Sequence, residues 1–188
     1  MKNIIEILKD TEALLEGHFL LSSGKHSKEY VQCAKVLSHP KYAEKVLKPV
    51  IKKVKNLDID ILVGPAMGGI IVAYEMGRQL EKEAIFTERK DGEMTLRRGF
   101  QIKKGQKVLI TEDVVTTGRS TMETKKVIEN LGGIVIGVAS IVDRTRGDSV
   151  LDIPLYSTIA IDIETYDKDE CPMCKEGKEI AKPGSRKI

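Results

Sequence analysis

The stretch Val108-Leu109-Ile110-Thr111-Glu112-Asp113-Val114-Val115-Thr116-Thr117-Gly118-Arg119-Ser120 runs from an apolar strand through two adjacent acids into a small-residue turn that opens a helix. Each part has a chemical use. Backbone N–H groups and hydroxyls gathered at a helix N-terminus hold a phosphate dianion, because the first-turn donors lack partners inside the helix and the dipole favours negative charge. Gly118 permits a close backbone approach. Glu112 and Asp113 at the strand's end can accept hydrogen bonds from neighbouring sugar hydroxyls and set negative charge beside a ring that turns cationic. A phosphorylated sugar meets both halves. A capped helix with two solvated acids is the plainer alternative. The other glycine-rich stretches fit no nucleotide motif: residues 64–69 lack the Lys-Ser/Thr of a nucleoside-triphosphate loop, and Gly132-Gly133-Ile134 lacks the dinucleotide spacing.

Working outward, apolar runs alternate with helical patterns: IDILVG (59–64), a helix over 69–82, AIFTE (84–88), KVLIT (107–111), a helix over 119–131, and IVIGVASIV (134–142). Short, nearly continuous apolar strands separated by helices predict an α/β core, a central mostly parallel sheet flanked by helices. Ligands bind such sheets beyond the carboxyl ends of the strands. Towards the N-terminus, residues 3–16 read as an amphipathic helix with Asn3 as N-cap and Gly17 as the closing glycine. Two strand-like runs flank the turn Ser22-Ser23-Gly24-Lys25, and a helix returns from Pro40 to about Lys55, with Pro49 expected to kink it. From Asp167 the chain is polar and reads as a loosely packed tail. The expected organisation is a single domain over 1–188: a helix and hood over 1–38, the α/β core over 39–166, and a tail over 167–188.

Composition narrows the function. Hydrophobic residues make up 41% and charged residues 31% of the 188, the balance of a folded soluble chain. Lys+Arg 31 against Asp+Glu 28 leaves +3, too slight a surplus for general nucleic-acid binding. No run approaches the roughly 18 apolar residues of a membrane span, and acids interrupt the apolar N-terminus, so a cytoplasmic protein is expected. Cys33, Cys171 and Cys174 cannot make a disulfide framework. Cys171-Pro172-Met173-Cys174 is half of a zinc set, which a two-fold partner could complete, but a reduced pair in a mobile tail is the simpler reading. His18 and His39 read as turn or surface residues and Cys33 as a small buried one.

VLITEDVVTTGRS at 108–120 resembles the 5-phosphoribosyl 1-diphosphate signature of the type I phosphoribosyltransferases. With GHFLLSSGKHS at 17–27, GPAMGG at 64–69, the charged loop ending in RRGF at 97–100 and VDR at 142–144, the chain is similar to the orotate-using branch across nearly its full length. The resemblance implies the type I phosphoribosyltransferase fold with a small N-terminal hood. It also implies phosphoribosyl transfer to orotate in pyrimidine nucleotide biosynthesis, Mg²⁺ as cofactor, and a homodimer without nucleic-acid or membrane partners.

Carried onto this sequence, the resemblance assigns the phosphoribosyl diphosphate to Glu112, Asp113, Val114, Val115, Thr116, Thr117, Gly118, Arg119 and Ser120 and to the loop Ala66, Met67, Gly68. A cis peptide is implied at Ala66-Met67. Arg89 and Lys90 belong to a charged segment, from Glu88 to Lys107, with seven bases against three acids. Such a loop could close over a diphosphate and neutralise it, and in the family it reaches the neighbouring subunit's site. A solvated hairpin tip is the alternative. Glu112, Asp113, Arg89 and Lys90 are the expected catalytic residues. Thr116, Arg144, Lys25 and Tyr30 are assigned to orotate, Arg144 because a guanidinium forks onto a carboxylate or ring carbonyl; His26 could flank the same base. No residue is expected to be a dedicated metal ligand, Mg²⁺ being carried mainly by substrate. The chain departs from many relatives in having Gly68 and Ser22 where they have lysines, no loop histidine, and Tyr30-Val31 in place of paired aromatics. A purine-base phosphoribosyltransferase and a non-catalytic sensor of the same diphosphate are the rival functions.

Overall fold

The computed structural model describes residues 2–21, 23–148 and 150–183. The chain divides into two compact units, one made of Met1–Val36 with everything from Asp162 onward, the other of Leu37–Ile161.

The smaller unit starts with α1 (Ile4–Asp10), which is closed by a capping box: the Asn3 carboxamide accepts from the Glu6 N–H and the Glu6 carboxylate accepts from the Asn3 N–H, both at 2.9 Å. The helix is shorter than the expected 3–16. It ends at Thr11 and Glu12, the latter at φ 55°, and Leu14 already belongs to a strand. Long-range pairing overrides local periodicity here. β1 (Leu14–Leu20) runs antiparallel to β2 (His26–Val31), so Gly17 is a strand residue and not a helix terminator. A short helix, α2 (Ala34–Leu37), follows.

In the larger unit, α3 (Pro40–Val54) accepts proline at its first position, where no helical N–H is needed, and buries Ala43, Val46, Leu47, Val50 and Val54 along one stripe. Then come β3 (Ile61–Pro65), α4 (Gly68–Leu80), β4 (Glu83–Lys90), β5 (Glu93–Leu96), β6 (Lys107–Val115), α5 (Arg119–Asn130), β7 (Ile134–Asp143) and β8 (Leu155–Ala160). They form one sheet in the order β5-β4-β3-β6-β7-β8, parallel throughout except for β5, which folds back on β4. The sheet is covered on both faces. Ile61, Val63, Val108, Ile110 and Val138 pack with Ile128 of α5. Leu62, pointing the other way, faces α4, where a Cβ on Gly77 would lie 3.5 Å from its Cδ1. Each of these fully buried branched side chains contributes roughly 1.5–3 kcal/mol relative to exposure.

Two late elements return to the smaller unit: β9 (Thr165–Tyr166), which pairs with β2, and α6 (Pro172–Lys175). Cys171 and Met173 are buried, and Ala181 bridges to Phe19. The expected loose tail is therefore packed as far as it is described, because its few apolar side chains and its backbone find partners on β1 and β2.

Candidate active site

β3 and β6 are parallel neighbours, and each feeds a helix at its carboxyl end. Gly118, at φ 68°, caps α5, and Met67 caps α4; neither cap supplies a side-chain acceptor. Two sets of first-turn N–H groups thus emerge side by side along one sheet edge, each suited to an anion. Thr116 and Thr117 are exposed at the turn, Val114 and Ser120 are half-buried, Val115 is buried, and Arg119 reaches back to Glu123 at 3.0 Å. The Ala66-Met67 peptide is cis.

The backbone at this edge is drawn very close. A Cβ on Gly69 would lie 2.6 Å from the Thr111 carbonyl oxygen, and one on Gly118 would lie 2.5 Å from Leu151. At Gly68 a Cβ would sit 2.3 Å from the Asp113 carboxylate. A side chain at 68, such as the lysine the resemblance places there in many relatives, would require the Asp113 carboxylate to swing aside; position 22 lies outside the described residues, as do residues 184–187 of the PGSRK ending.

The two acids occupy opposite faces of β6, as adjacent strand residues must. Glu112 is 7% exposed and accepts a hydrogen bond from the Thr121 hydroxyl of α5 at 3.3 Å. Asp113 faces the start of α4, and its Oδ1 accepts the Val114 N–H at 2.9 Å. Burial raises Glu112 to about 8, with the Asp113 charge adding to the effect and the Thr121 hydroxyl opposing it. Burial also raises Asp113, opposed by the backbone N–H groups of Val114 and of Asp113 itself. A pair of desolvated carboxyls at the end of one strand is an environment that calls for a cation or for hydroxyl donors.

Arg144 follows directly on β7, half-buried, and its N–H donates to the Val115 carbonyl at 2.8 Å, which ties it to the strand of the acids. Asp143, the last residue of β7, accepts the Thr145 N–H on its Oδ1 at 2.8 Å.

The charged segment is a hairpin that extends the sheet, with Arg89 opposite Met94. Arg89 donates to the Gly92 carbonyl at 2.9 Å and pairs with Glu123 of α5, while Lys90 is exposed. Arg98 forks onto Glu88 at 2.8 and 3.1 Å. Arg89, Arg97, Arg98 and Lys107 therefore have carboxylate partners close by.

In the smaller unit, Lys25 is 3.5 Å from Asp167 and the Tyr30 ring lies 5.8 Å from that of Phe19. His18 and His26 correct the sequence expectation. Both are buried, and they face each other together with Cys171 and Cys174. Histidines 18 and 26 and a cysteine pair about 150 residues later share no spacing pattern that the sequence could have displayed.

Comparison with known proteins bears on the larger pattern. The sequence profile of the phosphoribosyl transferase domain matches residues 32–169. The chain is 52% identical over 184 residues to an orotate phosphoribosyltransferase of Caldicellulosiruptor saccharolyticus, covering 98% of this chain and 96% of that one. The fold matches the crystal structure of orotate phosphoribosyltransferase from Aeropyrum pernix with TM-score 0.71 at 24% identity, over 85% of this chain and 94% of that one. It matches the Mycobacterium tuberculosis enzyme, solved with 5-phospho-α-D-ribosyl 1-diphosphate, with TM-score 0.65 at 22% identity, over 84% and 95% of the two chains.

Proposed function

We infer that the chain, which belongs to the phosphoribosyl transferase family, transfers the 5-phosphoribosyl group of 5-phosphoribosyl 1-diphosphate to N1 of orotate, giving orotidine 5′-monophosphate and diphosphate in pyrimidine nucleotide biosynthesis. The observation that carries this is the near-full-length identity of 52% to an orotate phosphoribosyltransferase.

In the reaction the bond from the ribose anomeric carbon to the diphosphate oxygen breaks as the bond to N1 forms, through an oxocarbenium-like state. Orotate's N1 proton leaves to solvent beforehand, so no protein nucleophile is needed. We assign the 5′-phosphate to the α5 N-terminus over Thr116 to Ser120 and the diphosphate to the α4 N-terminus over Ala66 to Gly68. Asp113 accepts from the ribose hydroxyls. Glu112, on the other face of β6, holds its proton up to about 8 when no cation is near and gives it up to become a negative charge as the ring turns cationic. Arg144 and Thr116 bind the pyrimidine; Lys25 and Tyr30 are assigned to it by resemblance alone. Lys90 and Arg89 neutralise the leaving diphosphate, Arg89 after exchanging Glu123 for phosphate.

Mg²⁺ prefers oxygen ligands and retains water. Among the described residues the one cluster of three or more potential ligand side chains is built of imidazoles and thiols, which do not suit it. We assign Mg²⁺ to the substrate's own oxygens, with Asp113 and an ionised Glu112 as the negative charge the chain would set beside it. When bound, the ion spreads the charge that develops on the departing diphosphate.

We further propose a homodimer in the cytoplasm. Met67, Ile71 and Tyr74 stand exposed at helical spacing at the start of α4, 83%, 43% and 70% accessible, an apolar stripe suited to a second copy. Among the described residues no helix is long and apolar enough to cross a membrane.

The test is orotate consumption followed by ultraviolet absorbance with phosphoribosyl diphosphate and Mg²⁺, beside xanthine and hypoxanthine, for the wild type, Asp113→Asn and Arg144→Ala. Turnover of orotate alone, lost in both variants, is the expected result. Binding of the diphosphate substrate without consumption of any base would replace the enzyme with a sensor.

A further inference from the structure

The smaller unit holds a cluster that phosphoribosyl transfer does not use. The Nε2 of His18, the Nδ1 of His26 and the Sγ atoms of Cys171 and Cys174 all lie within 4.8 Å of one another. They come from β1, β2 and the two ends of a Cys-x-x-Cys turn at α6. His18 Nε2 is 2.9 Å from His26 Nδ1, 3.5 Å from Cys171 Sγ and 3.7 Å from Cys174 Sγ; Cys174 Sγ is 3.2 Å from His26 Nδ1. A tetrahedral zinc ion sets edges of roughly 3.4 Å between two nitrogens, 3.6 Å between nitrogen and sulfur, and 3.8 Å between two sulfurs. These four separations stand within about half an ångström of those edges, the two imidazoles being the pair that must move apart, and the remaining separations fall inside the same 4.8 Å.

The surroundings fit the same reading. His18 Nδ1 is 2.9 Å from the Lys178 carbonyl, which can only accept, so this nitrogen carries the proton and Nε2 presents its lone pair inward. Metal-binding histidines are oriented by this kind of outer hydrogen bond. Two neutral imidazoles and two thiolates balance the charge of one Zn²⁺, giving a neutral group where His18, His26 and Cys171 are all buried. The donor set of two nitrogens and two sulfurs in one tetrahedron suits zinc, whereas iron–sulfur clusters call for more cysteines or a second metal.

We propose that His18, His26, Cys171 and Cys174 form a closed structural Zn²⁺ site that ties the β1–β2 hairpin to the returning end of the chain. Binding releases the two thiol protons to solvent, and no oxidant or reductant takes part. A unit this small, with few buried apolar side chains, is the setting in which a metal staple contributes most.

Elemental analysis of the purified full chain should give one zinc per chain. Co²⁺ titrated into the chelator-stripped chain should produce intense tetrahedral visible bands and a sulfur-to-metal band in the near ultraviolet. Cys171→Ser and Cys174→Ser should each lose both signals, while Cys33→Ala keeps them. As a measurement that needs no variant, stripping the wild type should speed amide exchange in β1 and β2 at least about tenfold while β6 and β7 exchange as before. A wild type that binds no zinc in stoichiometric amount, a weak octahedral Co²⁺ spectrum, or serine variants that keep the ion would overturn the proposal.

Discussion

Replacing Glu112 by glutamine removes a buried acid while keeping its shape and its capacity to accept from Thr121. In the folded chain Glu112 holds its proton up to about 8, because burial, and secondarily the Asp113 charge, penalises the anion. The unfolded chain releases that proton near 4.5, so from there upward the unfolded state binds fewer protons than the folded one. Stability is therefore complete below about 4.5, falls as pH rises, and levels off once the folded carboxyl has ionised above about 8. The gap, at about 1.4 kcal/mol per pH unit, amounts to on the order of 5 kcal/mol. Glu112→Gln carries no such proton. Urea unfolding of both chains between about pH 5 and pH 9 should show the wild type losing several kcal/mol against the variant on the alkaline side. Asp113 titrates in both, so the comparison isolates Glu112. Curves that stay parallel to within about 0.5 kcal/mol across that range would refute the reasoning, since then the carboxyl is not desolvated.

Gly68→Ala should cost about 1–3 kcal/mol in chemical denaturation and weaken phosphoribosyl diphosphate binding in calorimetry, because the new methyl meets the Asp113 carboxylate at 2.3 Å. Arg89→Ala should change stability by less than about 1 kcal/mol, the pair with Glu123 being partly solvated, while lowering kcat for orotate by about tenfold or more in the absorbance assay. Replacing both Ile71 and Tyr74 by glutamate should turn a dimer into a monomer in light scattering, with the circular dichroism of the fold retained.

Much of the core was legible because parallel strands buried on both faces write themselves as apolar runs; β3, β6 and β7 all fall on the quoted stretches. β8 did not, since its LYSTIA mixes polar and apolar residues that are only partly buried at the sheet's edge. α1 was overextended because Leu14 and Leu15 continue its period, and only their pairing with Val31 and Tyr30 makes them strand. The phosphate turn was readable as a string, whereas the continuation of β6 past Thr111 to Val115, which sends Glu112 and Asp113 to opposite faces, was not, since acids after an apolar run read as the start of a turn. The His18–Cys171 neighbourhood was invisible for a simpler reason: its members meet only through tertiary contacts across most of the chain's length.

The smaller unit is assembled from both ends of the chain. β2 is completed by β9, β1 by a bridge to Ala181, and His18 by the carbonyl of Lys178. None of these contacts can form on the ribosome until residues 165–181 have emerged, while the segment from Leu37 to Ile161 carries its own sheet and core and is free to fold earlier. The β1–β2 hairpin waits meanwhile as an isolated two-stranded piece, marginal by itself in water. β1 and β2 are thus held in place only after segments made roughly 140 residues later arrive.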